Sequence, residues 1–148
     1  MAFLEKAFAV ALTIPDNEAF TALVTLRRLG FALGGVRRAD IWAFEVEPAA
    51  AGALAETIAE IETIFNPNKH EIVERRGARP EPGEVWIAPL EDAAVGSVGR
   101  GTLTGVRAIR RRVAWQLLDE AGSVADPLVL ERAVETFLCN PAFQKAIR

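Results

Sequence analysis

Apolar and polar positions alternate from the eighth residue onward. Phe8, Val10, Leu12 and Ile14 fall on one side and Ala9, Ala11 and Thr13 on the other, the period of a half-buried strand. Pro15 ends that run, and Asp16 is placed to accept from the first free N–H groups of a helix, whose positive end also gains Glu18. Ala19, Ala22, Leu23, Leu26 and Leu29 recur at helical spacing, widened by Phe20 and Val24, and Gly30 closes the helix. After Gly34-Gly35, the segment Val36-Arg37-Arg38 reads as a short strand and Ala39-Asp40 as a polar break. Trp42, Phe44 and Val46, alternating with Ala43 and Glu45, read as a further strand.

Glu47-Pro48 then opens a second helix with proline in its first turn. Leu54, Ile58, Ile61 and Phe65 line its apolar face, with Glu56, Glu60 and Glu62 in water. Asn66-Pro67 stops it, because proline cannot continue a helix. Ile72 and Val73, among charged neighbours, read as a short edge strand within 69–75.

Segment 76–84, with two prolines and two glycines, is the clearest linker. Val85-Trp86-Ile87 is strand-like, pairing either with Ile72-Val73 or with the same strand of a second copy. Four glycines punctuate Gly96 to Gly105. Val106, Ile109, Val113 and Leu117 then follow at helical spacing, with arginines at 107 and 110–112, up to Gly122. Asp126-Pro127 caps another helix carrying Leu130, Val134 and Phe137, Asn140-Pro141 breaks it, and 142–147 is read as a last helical turn or two. This divides the chain into a domain at 1–76, a connector at 77–105 and a helical extension at 106–148. A rival reading is an internal duplication. A shift of 73 positions lays Ile14 on Ile87, Glu18 on Glu91, Arg27 on Arg100, Arg37-Arg38 on Arg110-Arg111 and Trp42 on Trp115. The helical reading is preferred because 107–118 holds no Gly, Pro, Asn or Asp to turn a hairpin and is made of good helix formers.

At 148 residues, 51% of them hydrophobic, the chain is long enough for one domain with a real core. A net charge of −3 argues against a dedicated nucleic-acid binder, whose affinity rests on neutralising phosphates. The single cysteine, Cys139, cannot pair internally, which suits a reducing compartment, and the cytoplasm is the expected location. No apolar run approaches the ~20 residues of a membrane span, and the N-terminus lacks the pattern of a secretory signal.

Catalytic material is sparse. His70 is the sole histidine and lies among charges, and Cys139 sits in an apolar helical run, so a nucleophile and base pair or a soft metal site is not expected. No cofactor is implied. The Gly96–Thr102 segment lacks the Lys-Ser/Thr ending of a P-loop and the spaced glycines of a dinucleotide fold, so it reads as a connector. The residues suited to an anion or a partner are Arg37, Arg38, Arg100, Thr102 and Arg107.

The order of elements over 7–75 resembles the PurS family, the small subunit of bacterial phosphoribosylformylglycinamidine synthase. The residues that carry the likeness are the first strand Ala7–Ile14, the helix end Thr25-Leu-Arg-Arg-Leu-Gly-Phe31, the sequence Gly35-Val-Arg-Arg38 before a strand, and the helix end Ile64-Phe-Asn-Pro67. Where that family carries Asp-Pro-x-Gly this chain has Pro15-Asp-Asn-Glu18, and where it carries Arg-x-Gly-Lys this chain has Arg37-Arg-Ala-Asp40. The resemblance implies an α+β, ferredoxin-like β-α-β-β-α-β fold, a four-stranded antiparallel sheet with two helices on one face. It also implies a non-catalytic subunit that dimerises through its sheet and bridges synthase and glutaminase subunits in purine biosynthesis. The small outward residues Ala9, Ala11 and Ala43 are the expected dimer face. The other reading is a regulatory module of ferredoxin-like type that binds an anionic small molecule through Arg37, Arg38 or the Gly96–Gly105 loop.

Overall fold

A computed structural model describes residues 2–92 and 103–148. In chain order the elements are β1 (Leu4–Leu12), α1 (Asn17–Arg28), β2 (Leu33–Val46), α2 (Pro48–Ala51), α3 (Leu54–Ala59), β3 (His70–Glu74), β4 (Glu84–Pro89), β5 (Val106–Asp119), α4 (Pro127–Ala133), a π-type turn at Val134–Leu138, and β6 (Gln144–Ile147). This is an α+β protein with an open, antiparallel six-stranded sheet in the order β3-β1-β2-β5-β4-β6. Contacts divide the chain into two compact units, each drawing on both halves of the sequence.

Unit 1 comprises Met1–Ile14, Asp40–Ala78 and Asp92–Arg111. β1 pairs with the second half of β2, Phe8 opposite Trp42 and Val10 opposite Asp40, and β3 lies on its other edge with Ile72 opposite Val10. Because paired residues share a face and the period is two, Phe8, Trp42 and Phe44 project together onto Leu54 and Ile58 of α3, joined by Ile109. Phe8 and Phe44 meet edge to face at 5.9 Å, the arrangement that ring quadrupoles favour. β3 is an edge strand, and Lys6 ties it to β1 through Glu74 at 2.8 Å.

Unit 2 comprises Pro15–Ala39, Arg79–Glu91 and Arg112–Arg148. Asp16 caps α1, its carboxylate accepting from the backbone N–H groups of Glu18 and Ala19 at 3.0 Å each. The helix buries Ala19, Ala22 and Leu26. Gly30 ends it at φ +96°. Asp126 caps α4 in the same way, accepting from Leu128 at 2.8 Å, with Pro127 in the first turn. Leu26, Phe31, Val85, Ile87, Leu117 and Leu130 form the centre of this core.

Several expectations are corrected. Segment 106–119 is a strand, not a helix, and Gln144–Ile147 is a strand, not a last helical turn. β4 pairs with β5 and β6, not with β3. The two strands read at 36–38 and 42–46 are one continuous β2 that passes through Ala39-Asp40 without a break. The compact units do not follow the boundary at residue 76. Phe20, assigned to the apolar face of α1, is 66% exposed, and Ile14 lies beyond the end of β1 and is 52% exposed.

Part of the second half repeats the first. Shifting β2 by 73 positions gives the bounds of β5, and the start of α3 at Leu54 falls on that of α4 at Pro127. Asn66-Pro67 before β3 answers to Asn140-Pro141 before β6.

Candidate functional site

The clearest trace of the repeat is a pair of arginine–tryptophan contacts. In unit 2 the Arg38 guanidinium lies over the Trp115 ring, 5.7 Å from its centroid. In unit 1 Arg111 lies over Trp42 at 5.4 Å. Arg38 and Arg111 are equivalent positions, as are Trp42 and Trp115, so each half supplies the cation for the other half's indole. That reciprocity is the signature of an isologous interface, here between the two halves of one chain. The contact gains from the ring quadrupole, and the long arginine stem covers apolar surface while its head stays polar.

The two contacts differ in setting. Trp42 is 5% exposed and belongs to the core of unit 1, where Arg111 also bonds Asp40 at 3.0 Å. Trp115 is half-buried and forms the wall of a cleft of about 390 Å³. Asn17, Glu18, Thr21 and Ala22 of α1 line one side of that cleft, and Phe137 and Leu138 at the end of the π-type turn line the other. Phe137 is 40% exposed. Two lining residues are held by Arg38, which stacks on Trp115 and reaches Glu18 at 3.0 Å. The cap at Asp16 fixes the first turn of α1 and thereby the position of Glu18. Two aromatic side chains and a carboxylate therefore line a hollow within the size range of small-molecule sites, with Arg38 bracing one of the rings and the carboxylate.

The residues singled out from sequence divide between the units. Arg37 and Arg38 are in unit 2 and Arg107 is in unit 1. Arg37 is exposed, one position from Arg38 and so on the opposite face of the strand. Arg38 pairs with Glu18 at 3.0 Å. Arg107 lies 4.0 Å over the Phe3 ring and bonds Glu45 at 2.8 Å, while Arg110 bonds the other oxygen of Glu45 at 3.1 Å. Hydrogen bonds from Arg107 and then Arg110 hold the Glu45 carboxyl below its ordinary pKa. Arg100 and Thr102 lie outside the described residues.

Sequence reasoning missed Trp115, Phe137 and Thr21 as cleft residues, and treated Glu18 only as a charge at a helix end. The available signal was the 73-position shift, which pairs two arginines and two tryptophans at once. The expected dimer face is also altered: Ala43 is 9% exposed, Ala7 and Ile41 on the same face are fully buried, and Ala9 and Ala11 are half-buried. His70 falls in unit 1 and Cys139 in unit 2. Among the described residues no group of three or more His, Cys, Asp or Glu side chains is arranged to hold a metal, and no helix is long and apolar enough to cross a membrane. No protein-family model and no curated protein matches this chain.

Proposed function

We propose that the protein is a binding module that holds an anionic small molecule with a flat apolar body in the cleft between α1, Trp115 and the end of the π-type turn. The observation that carries this reading is Arg38, whose guanidinium contacts both the aromatic wall and the acidic rim of one hollow. Binding rather than catalysis is supported by the use made of the one histidine. Nδ1 of His70 accepts a backbone N–H at 2.9 Å within a turn, a structural task. A ligand held only by the folded state raises the unfolding temperature by mass action. Thermal-shift and calorimetric titration with nucleotides, amino acids and aromatic carboxylates tests this. Binding is expected for at least one class and is lost in Phe137→Ala. A panel without any shift defeats the reading.

A second reading is favoured by the repeat. The correspondence of β2 with β5, of the start of α3 with that of α4, and of β3 with β6 supports a doubled PurS-like, ferredoxin-like chain that carries its dimer partner within itself. On that reading the protein bridges a synthase and a glutaminase subunit. Co-expression with such a pair yields a three-component complex if it holds, and the free chain if it does not.

A further inference from the structure

The ion pair on the rim of the cleft is unequal. The Arg38 side chain is 18% exposed and the Glu18 side chain 70% exposed, at an N–O distance of 3.0 Å. The arginine is thus fixed against Trp115 inside the unit, whereas the glutamate reaches it from solvent, along the first turn of α1 where it lines the cleft. An exposed carboxylate gains little from such a pair, because water and salt compete for it and a flexible side chain must be held still. A planar guanidinium in a half-buried place, by contrast, takes a carboxylate from a ligand as readily as one from the chain, and its fork can hold both oxygens where Glu18 offers it one.

We propose that Glu18 is an internal stand-in for the ligand, and that the ligand is an aromatic carboxylate which displaces it from Arg38 while its ring packs between Trp115 and Phe137. This rests on the cleft being the ligand site. The ligand's charge replaces the glutamate's at Arg38, its ring covers the exposed face of Phe137, and the released Glu18 side chain turns to water. No covalent step is involved. Glu18 is then a competitor, so its removal strengthens binding; were it a contact for a cationic ligand, its removal would weaken binding.

The test uses three probes of one shape and different charge, benzoate, benzyl alcohol and benzamidine, titrated by calorimetry into the full chain and its Glu18→Gln, Glu18→Ala and Arg38→Met variants. The cap of α1 uses the backbone N–H of Glu18, so the Glu18 variants keep the helix. Benzoate is expected to bind the Glu18 variants about fivefold more tightly than the unaltered chain, the size of an exposed ion pair. Arg38→Met removes benzoate binding and leaves benzyl alcohol unchanged. Benzoate binding that is unchanged or weaker in Glu18→Gln, or benzamidine binding that depends on Glu18, overturns the proposal while leaving the cleft a ligand site. If benzoate binds neither the unaltered chain nor the Glu18 variants, the proposal is also overturned. In that case, benzyl alcohol binding lost in Phe137→Ala keeps the cleft as a ligand site but not an anion site, and no binding by any probe removes both readings.

Discussion

The backbone N–H of Asn66 donates to Nδ1 of His70 at 2.9 Å, closing the turn that leads into β3. The same turn recurs before β6, where the N–H of Asn140 donates to Oε1 of Gln144 at 2.9 Å. The likeness extends to the asparagine side chains, Asn66 accepting from Asn68 at 2.9 Å and Asn140 from Ala142 at 3.0 Å. An imidazole and an amide oxygen thus serve one purpose, to accept the N–H that opens the turn, which at Asn66 is half-buried. His70→Gln is expected to unfold within about 1 °C of the unaltered chain. His70→Ala leaves the donor without a partner, costing about 1 kcal/mol, or roughly 2–4 °C in calorimetry. Equal losses in the two variants would show that the ring matters for something other than this acceptor.

How much of this was legible in the sequence follows from which faces of each strand are covered. β1 shows a clear alternation because Ala9 and Ala11 are only half covered, and the capped helix α1 was legible because Asp16 and Gly30 act locally. β5 was not, since Ala108, Ile109, Ala114 and Leu117 are buried on both faces of a central strand, which erases the period of two. Its arginines added to the confusion. They look like the solvated face of a helix, but Arg111 lies over a ring and bonds a carboxylate, and Arg107 and Arg110 clamp Glu45. Asp40 looked like a turn for the same reason, although it lies within β2 opposite Val10. The cleft was beyond reach because α1, Trp115 and Phe137 are far apart in the sequence and meet only through unit 2.

Two glycines separate steric from conformational cost. A methyl group on Gly34 would run into the carbonyl oxygen of Asp119, where β2 and β5 approach closely. Gly30 has open space around it but sits at φ +96°. Gly34→Ala is therefore expected to cost about 2–3 kcal/mol through displaced backbone, and Gly30→Ala about 1–2 kcal/mol through the left-handed conformation alone. Urea unfolding of the two variants checks the order, and a larger loss at Gly30 contradicts it.

The reciprocal arginine–tryptophan contacts predict measurable coupling. A double-mutant cycle over Arg38→Met and Trp115→Leu isolates the stacking term, as does one over Arg111→Met and Trp42→Leu. Each cycle is expected to return about 0.5–1 kcal/mol, with the Arg38 contact the larger of the two because its side chain is 18% exposed against 57% for Arg111. A coupling of zero at both sites would reduce the two contacts to coincidences of packing.

Glu45 gives the chain an acid-sensitive contribution. Its hydrogen bonds to Arg107 and Arg110 hold the folded carboxyl below the ordinary value of 4.5, so the folded state binds fewer protons than the unfolded chain as pH falls past that value. The stabilisation is present in full above 4.5 and is lost as pH drops through the lowered folded value. Glu45→Gln should accordingly lower stability by about 1 kcal/mol at neutral pH, and the gap between variant and parent should close as pH falls through the lowered folded value. Glu131, held low by its hydrogen bonds to Arg148, adds a loss of the same sign in the parent and the variant alike and so cancels in the comparison. A gap independent of pH would mean that Glu45 acts through packing.

The linker offers the strongest test of how the chain is built. Unit 1 contains Asp92–Arg111 from beyond the linker, and unit 2 contains Pro15–Ala39 from before it, so neither can be assembled from one half of the sequence. Each core shows the dependence, Ile109 packing with Phe8 and Trp42 in unit 1 and Leu26 packing with Val85 and Leu117 in unit 2. A site-specific protease sequence inserted between Gly77 and Arg79, in the exposed segment that precedes β4, cuts the chain there without touching a strand. If the halves complete one another, the cut protein elutes in size-exclusion chromatography at the mass of the intact chain and separates only in denaturant. Two beads on a string, a folded 1–76 and an independent 106–148, would part on cutting without any denaturant, and that result would show that the exchanged strands contribute little to either core.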